Sequence, residues 1–132
     1  MAGIFPGASV LFVDDEQPIR LLFGRALIAA GFDFHEAADG NQALAQVDQR
    51  HHDAIVIDMI MPDREGVETI IEIRKRRPDA FIIAMSGGGR LGPADFLNLA
   101  SALGADRTLS KPFTPAQLIE LLAAGPSPKK SG

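Results

Sequence analysis

The residues of this chain whose types could act together on a phosphate are Asp14 and Asp15, Asp58, Ser86 and Lys111. Three carboxylates gathered within roughly 5 Å would repel by about 3 kcal/mol per pair at an effective dielectric of about 20, so such a cluster needs a compensating cation. Ligands that are all oxygen, with neither His nor Cys, favour magnesium, with manganese as the alternative, over zinc. Lys111 adds a positive charge that can reach an anion, and Ser86 adds a hydroxyl donor. A carboxylate nucleophile, a hard metal, a lysine and a hydroxyl suffice for phosphoryl transfer onto Asp58.

The elements carrying these residues decide whether they can meet. Ile55, Val56 and Ile57 are a β-branched run without alternation, as expected of a central parallel strand covered on both faces, and the run ends on Asp58. Ser9 to Val13 reads as a second buried strand ending in Asp14-Asp15-Glu16. Gln17 and Pro18 then open a helix whose apolar stripe is Ile19, Leu22, Phe23, Ala26, Leu27 and Ala30, and Gly31 ends it. Asp33 to Ala37 is a less apolar strand, placed at an edge, and Gly40 to Arg50 a helix with Ala43, Leu44 and Val47 inward. After Pro62, Glu65 to Arg77 is helical with Val67, Ile70, Ile71 and Ile73 inward, and Phe81 to Met85 is the fourth strand, followed by Ser86. Phe96, Leu99, Ala100 and Leu103 mark a further helix. Thr108 and Leu109 lie in a short fifth strand that runs out at Ser110 and Lys111. Thr114 caps a last helix with Pro115 at its first position and Leu118, Ile119, Leu121 and Leu122 toward the core.

Five strand-helix pairs in alternation imply an α/β fold, a doubly wound parallel sheet with helices on both faces. The flavodoxin-like order 2-1-3-4-5 makes strands 1 and 3 neighbours at the switch point, where ligands bind beyond the carboxyl ends of the strands. In that order Asp14, Asp15 and Asp58 converge, and Ser86 and Lys111 share their rim.

On these residues the chain resembles a response-regulator receiver domain of bacterial two-component signalling, of the chemotaxis-regulator type. The matching elements are Val13-Asp14-Asp15-Glu16, Asp58-Met-Ile-Met-Pro62 with Gly66, Ser86, and Lys111-Pro112-Phe113, in order and each at a strand end. The resemblance implies that Asp58 is the phospho-acceptor and that Asp14, Asp15 and Asp58 hold the magnesium with the backbone carbonyl of Ile60. It implies too that Ser86 and Lys111 bind phosphoryl oxygens and that the Lys111-Pro112 bond is cis. The donor would be a phosphohistidine on a sensor histidine kinase or phosphotransfer protein, or a small acyl phosphate. The output would be altered binding to a downstream effector protein or onward phosphotransfer. Such a protein is not a conventional enzyme, although magnesium-dependent self-phosphorylation and autodephosphorylation would occur at Asp58. Ser86 and the position of Thr108 would form the switch, and Thr108 departs from the aromatic residue common there.

The rest of the sequence bounds these readings. With 132 residues the chain is one domain: an extension at 1–8, the receiver unit at 9–124, and a tail expected to be disordered at 125–132. No basic leader or long apolar run is present, so a cytoplasmic protein without membrane contact is the expectation. The absence of cysteine excludes thiol chemistry and disulfides, and a net charge of -4 argues against nucleic acid as a direct partner. Arg74-Lys-Arg-Arg77 reads as a solvated helix end favoured by the helix dipole, and His35, His51 and His52 as ordinary histidines. Ser86-Gly-Gly-Gly89 lacks the Gly-Lys-Ser/Thr of a P-loop and reads as a mobile connection. A haloacid-dehalogenase-type phosphatase would want a second acid two residues after Asp58, where Ile60 stands. The same chain could also be a piece of a longer regulator or hybrid kinase.

Overall fold

The computed structural model describes residues 7–59, 65–86 and 102–125. Five parallel strands, β1 (Ser9–Val13), β2 (Asp33–Ala37), β3 (Ala54–Asp58), β4 (Ile82–Ser86) and β5 (Arg107–Ser110), form one sheet in the order β2-β1-β3-β4-β5. Among the described residues four helices flank it: α1 (Gln17–Ala29), α2 (Gly40–Gln49), α3 (Glu65–Arg76) and α4 (Pro115–Ala124). The helix expected around Phe96 to Leu103 lies largely outside the described residues, although Ala102 and Leu103 are helical.

The two faces of the sheet carry separate cores because successive strand residues point opposite ways. Val10, Phe12, Val56, Ile83 and Met85 pack with Phe23 and Leu27 of α1 and with Leu118 and Leu122 of α4. Leu11, Val13, Ile55, Ile57, Ile82 and Ala84 pack with Ala43 and Val47 of α2 and with Ile70 and Ile73 of α3. Truncating one of these buried side chains, such as Ile57 or Leu118, to Ala removes about 2 to 5 kcal/mol of transfer and packing energy.

Local sequence sets the helix ends. Gly31, at φ 96°, lets the chain leave α1 with its own amide on the Ile28 carbonyl and that of Phe32 on Leu27, a left-handed cap that glycine adopts without strain. Thr114 and Gln117 cap α4 reciprocally, each side chain serving the other's backbone amide. Gly125, the first residue of the expected tail, is ordered and buried, and its carbonyl accepts from Arg107 Nε at 2.9 Å; residues 126–132 lie outside the described set.

Two expected core residues turn outward, and one histidine turns inward. Leu22 is 54% exposed and Ile71 37% exposed. A helix advances about 100° per residue, which puts Leu22 a quarter-turn or more off the line through Phe23 and Leu27, while Ile70 and Ile73 claim the inner face of α3. Gly24 takes the flank instead, because a Cβ there would strike the Phe34 ring. His52, expected as an ordinary histidine, is 4% exposed, with Nδ1 on Ser9 Oγ and its ring edge-on to His35.

Candidate functional site

The acid cluster grows out of the strand order. Val13 of β1 pairs with Ile57 of β3, so the next residues, Asp14 and Asp58, leave the sheet side by side at the switch point. Asp14 is fully buried and Asp58 nearly so, whereas Asp15 faces solvent. One carboxylate oxygen from each of Asp14, Asp15 and Asp58 lies within 4.8 Å of the others. The donor set is all oxygen, at a spacing that suits a hard divalent cation.

Lys111 arrives from the far side of the sheet. Ser86 ends β4 opposite Ser110 of β5, and the Lys111 amide donates to the Ser86 carbonyl at 2.7 Å, continuing the ladder one step. The Lys111 Nζ then donates to Asp14 Oδ2 at 2.9 Å and to Asp58 Oδ2 at 3.2 Å, with Glu16 Oε2 at 4.0 Å. Burial alone would lower the Lys111 pKa, but the hydrogen bond to Asp14, the charges of Asp58 and Asp14, and the bond to Asp58 together hold it above the ordinary lysine value. The ammonium is thus firmly charged and neutralises the two buried carboxylates. The Lys111-Pro112 bond is cis.

Four expected site residues, Asp14, Asp15, Asp58 and Lys111, are therefore brought together, and Ser86 stands at the adjoining strand end. Thr108, half-buried in β5 opposite Ala84, lies three residues before Lys111. Ile60 and the glycines 87–89 lie outside the described residues, so the expected carbonyl ligand and hinge are not described.

Three further residues support the site, of which Arg20 and Glu36 escaped sequence reasoning. Gly66, expected at the start of the Glu65 to Arg77 helix, lies in the first turn of α3, where a Cβ would run into the Asp58 carbonyl and Met59 Cα. Only glycine lets that helix start come so close to the end of β3. Arg20 donates from Nη1 to the Asp14 carbonyl and from Nε to Glu36 Oε1, both at 2.7 Å. No spacing rule links Arg20 to Glu36, since they meet only when β2 lies beside β1.

The charged run at the end of α3 is not simply solvated. Arg74 donates to the carbonyls of Pro78, Ala80 and Gly104 and to Asp106, Arg76 pairs with Asp48 and Glu72, and Arg77 donates twice to the Val47 carbonyl. Lys75 is the most exposed member, bonded only to Glu72 among the described residues. A cavity of about 270 Å³ beside Arg50, Arg76 and Arg77 lies at the ends of α2 and α3, away from the acid cluster. Both helices present carbonyl ends there, a field that opposes anions.

The family model of the response regulator receiver domain matches residues 10–123. The chain belongs to this family. Among solved structures, this chain is similar to the chemotaxis protein CheY4 of Vibrio cholerae, with 32% identity over 88% of this chain and 96% of that one at a TM-score of 0.79. A CheY-like receiver protein of Methanospirillum hungatei matches at 26% identity over 87% and 90% of the two chains, TM-score 0.78. The match to NtrX of Brucella abortus, at 28% identity and TM-score 0.75, covers 87% of this chain but 26% of that longer one. Receiver domains are signalling modules rather than conventional enzymes, and they act in phosphorylation-dependent signalling with kinases and effectors. Among the described residues no helix is long and apolar enough to cross a membrane.

Proposed function

We propose that Asp58 accepts a phosphoryl group from a phosphohistidine of a sensor histidine kinase or phosphotransfer protein, or from a small acyl phosphate, and that the phosphorylated domain changes its binding to an effector protein or passes the group onward. The observation that carries this reading is the meeting of Asp14, Asp15, Asp58 and Lys111 at one strand rim, from the ends of three strands, β1, β3 and β5.

In the transfer, an Asp58 carboxylate oxygen attacks phosphorus, the phosphorus–nitrogen bond to the donor imidazole breaks with its electron pair going to nitrogen, and an acyl phosphate forms on Asp58. Asp14, Asp15 and Asp58, joined by the Ile60 carbonyl, would hold a magnesium or manganese ion, which when bound supplies positive charge for the phosphoryl oxygens. Lys111, already charged and in contact with Asp58, exchanges its bond to Asp14 for a phosphoryl oxygen. The Ser86 hydroxyl donates to another phosphoryl oxygen. Because a phosphoryl group brings about -1.5 to -2 charge and strong acceptors, Ser86 moving toward it is the first step of the switch. Thr108 leaves room on β5 rather than plugging it with a ring. Attack of water on phosphorus reverses the modification.

The test is incubation with magnesium and acetyl phosphate, followed by intact mass measurement. Wild type should gain one acid-stable, base-labile phosphoryl group and Asp58→Asn none. Labelling of the variant at the wild-type rate would overturn the assignment.

A further inference from the structure

We propose that Arg20 is a positioning residue for the acid cluster: it fixes the main chain of Asp14 so that the buried carboxylate keeps one direction toward an incoming cation. This rests on the phosphoacceptor reading, in which Asp14 is a metal ligand.

Arg20 lies in the first turn of α1, where a cation opposes the helix dipole, so local helix electrostatics do not account for it. Its side chain is 13% exposed, more enclosed than a surface ion pair requires, and its fork spans two elements. Nη1 donates to the Asp14 carbonyl, and Nε to the Glu36 carboxylate of β2. The Asp14 amide in turn donates to the carbonyl of Ala37, the neighbour of Glu36, at 3.1 Å. The peptide groups on both sides of the Asp14 side chain are thus tied to the end of β2, one directly and one through Arg20. Gln46 Nε2 on the Glu36 carbonyl fastens that end in turn.

With the main chain held, the carboxylate has little left to choose. The Glu16 amide holds Oδ1 at 2.9 Å, which leaves Oδ2 turned to Lys111. Residues behind a metal ligand that set its orientation are worth about 10 to 100-fold in metal affinity. A lysine cannot replace the guanidinium, because one nitrogen on a flexible stem does not hold two acceptors in a fixed fork.

The experiment compares wild type, Arg20→Ala and Arg20→Lys by NMR titration with magnesium chloride, and measures hydrogen exchange of the Glu16 amide in metal-free protein. Arg74→Ala, which cuts a larger arginine network far from the acids, controls for loss of stability alone. Arg20→Ala should bind magnesium about 10-fold more weakly and exchange the Glu16 amide faster, whereas Arg74→Ala keeps both at wild-type values relative to its own stability. If Arg20→Ala does not fold, Arg20→Lys decides, with a threefold or greater loss of affinity expected. Magnesium affinity and Glu16 exchange both at wild-type values in a folded Arg20 variant overturn the proposal. A wild type that shows no magnesium shifts at Asp14, Asp15 and Asp58 refutes the metal reading instead, and Glu16 exchange alone then decides Arg20: faster supports it, unchanged overturns it.

Discussion

Replacing Asp15 by Asn isolates the electrostatics of the acid cluster, because Asp15 is its exposed member and has no ion pair among the described residues. Lys111 sits on Asp14 and Asp58, so the Asp15 charge faces two acids whose shared cation is already engaged. At 4.8 Å, the upper limit of the separation, its repulsion by each neighbour is about 3.5 kcal/mol at an effective dielectric of about 20 and about 1 kcal/mol in bulk water. Exposure places it near the lower figure. Metal-free Asp15→Asn should therefore be as stable as wild type or more stable, by up to about 1 kcal/mol. Magnesium should act in the opposite sense. At a magnesium concentration about ten times Kd the ion stabilises wild type by about 1.4 kcal/mol, or about 5 °C in Tm for a domain of this size. The Asn variant, one charged ligand short, should lose most of that gain. Thermal unfolding followed by circular dichroism, with and without 10 Kd of magnesium, is the assay. An equal magnesium-induced rise in both proteins would refute the reasoning and move the cation elsewhere.

Two other expectations concern stability at the opposite end of the sheet. Desolvation by burial, reinforced by the charge of His35 and opposed by the nearby Gln46 carbonyl, pulls the His52 pKa down to about 4. The folded state keeps His52 neutral while the unfolded chain takes up a proton near pH 6.5, so stability is lost as pH falls below that value, down to the folded pKa, by up to about 3 kcal/mol. The fall in urea midpoint between pH 7 and 4.5 should be smaller in His52→Gln than in wild type; equal falls would discard the buried-histidine account. Arg74→Ala removes donors from the carbonyls of Pro78, Ala80 and Gly104 and breaks the Arg74–Asp106 ion pair, so it should cost about 2 to 3 kcal/mol in denaturant unfolding. A loss within about 0.5 kcal/mol, the usual range for a surface substitution, would mean that water replaces the guanidinium at little cost.

The sequence by itself determined what depends on neighbours along the chain. The β-branched run of Ile55 to Ile57, the Gly31 exit and the Thr114-Pro115 start are local conformational preferences, and alternation then left few topologies, so the strands and their rim could be read directly. The acids, Ser86 and Lys111 were legible because each ends or follows a strand. Only the tertiary structure decided what depends on another element's position. Leu22 and Ile71 are apolar and in phase with a helix, yet α1 and α3 turn them outward because Phe23, Leu27, Ile70 and Ile73 fill the space against the sheet. His52 looks like a helix-end cation until β1 brings Ser9 beside it and removes it from water. Arg20 reaches Glu36 across a gap of sixteen residues, and Lys111 reaches Asp14 across ninety-seven, distances at which sequence carries no signal and only the packing of strands sets the partner.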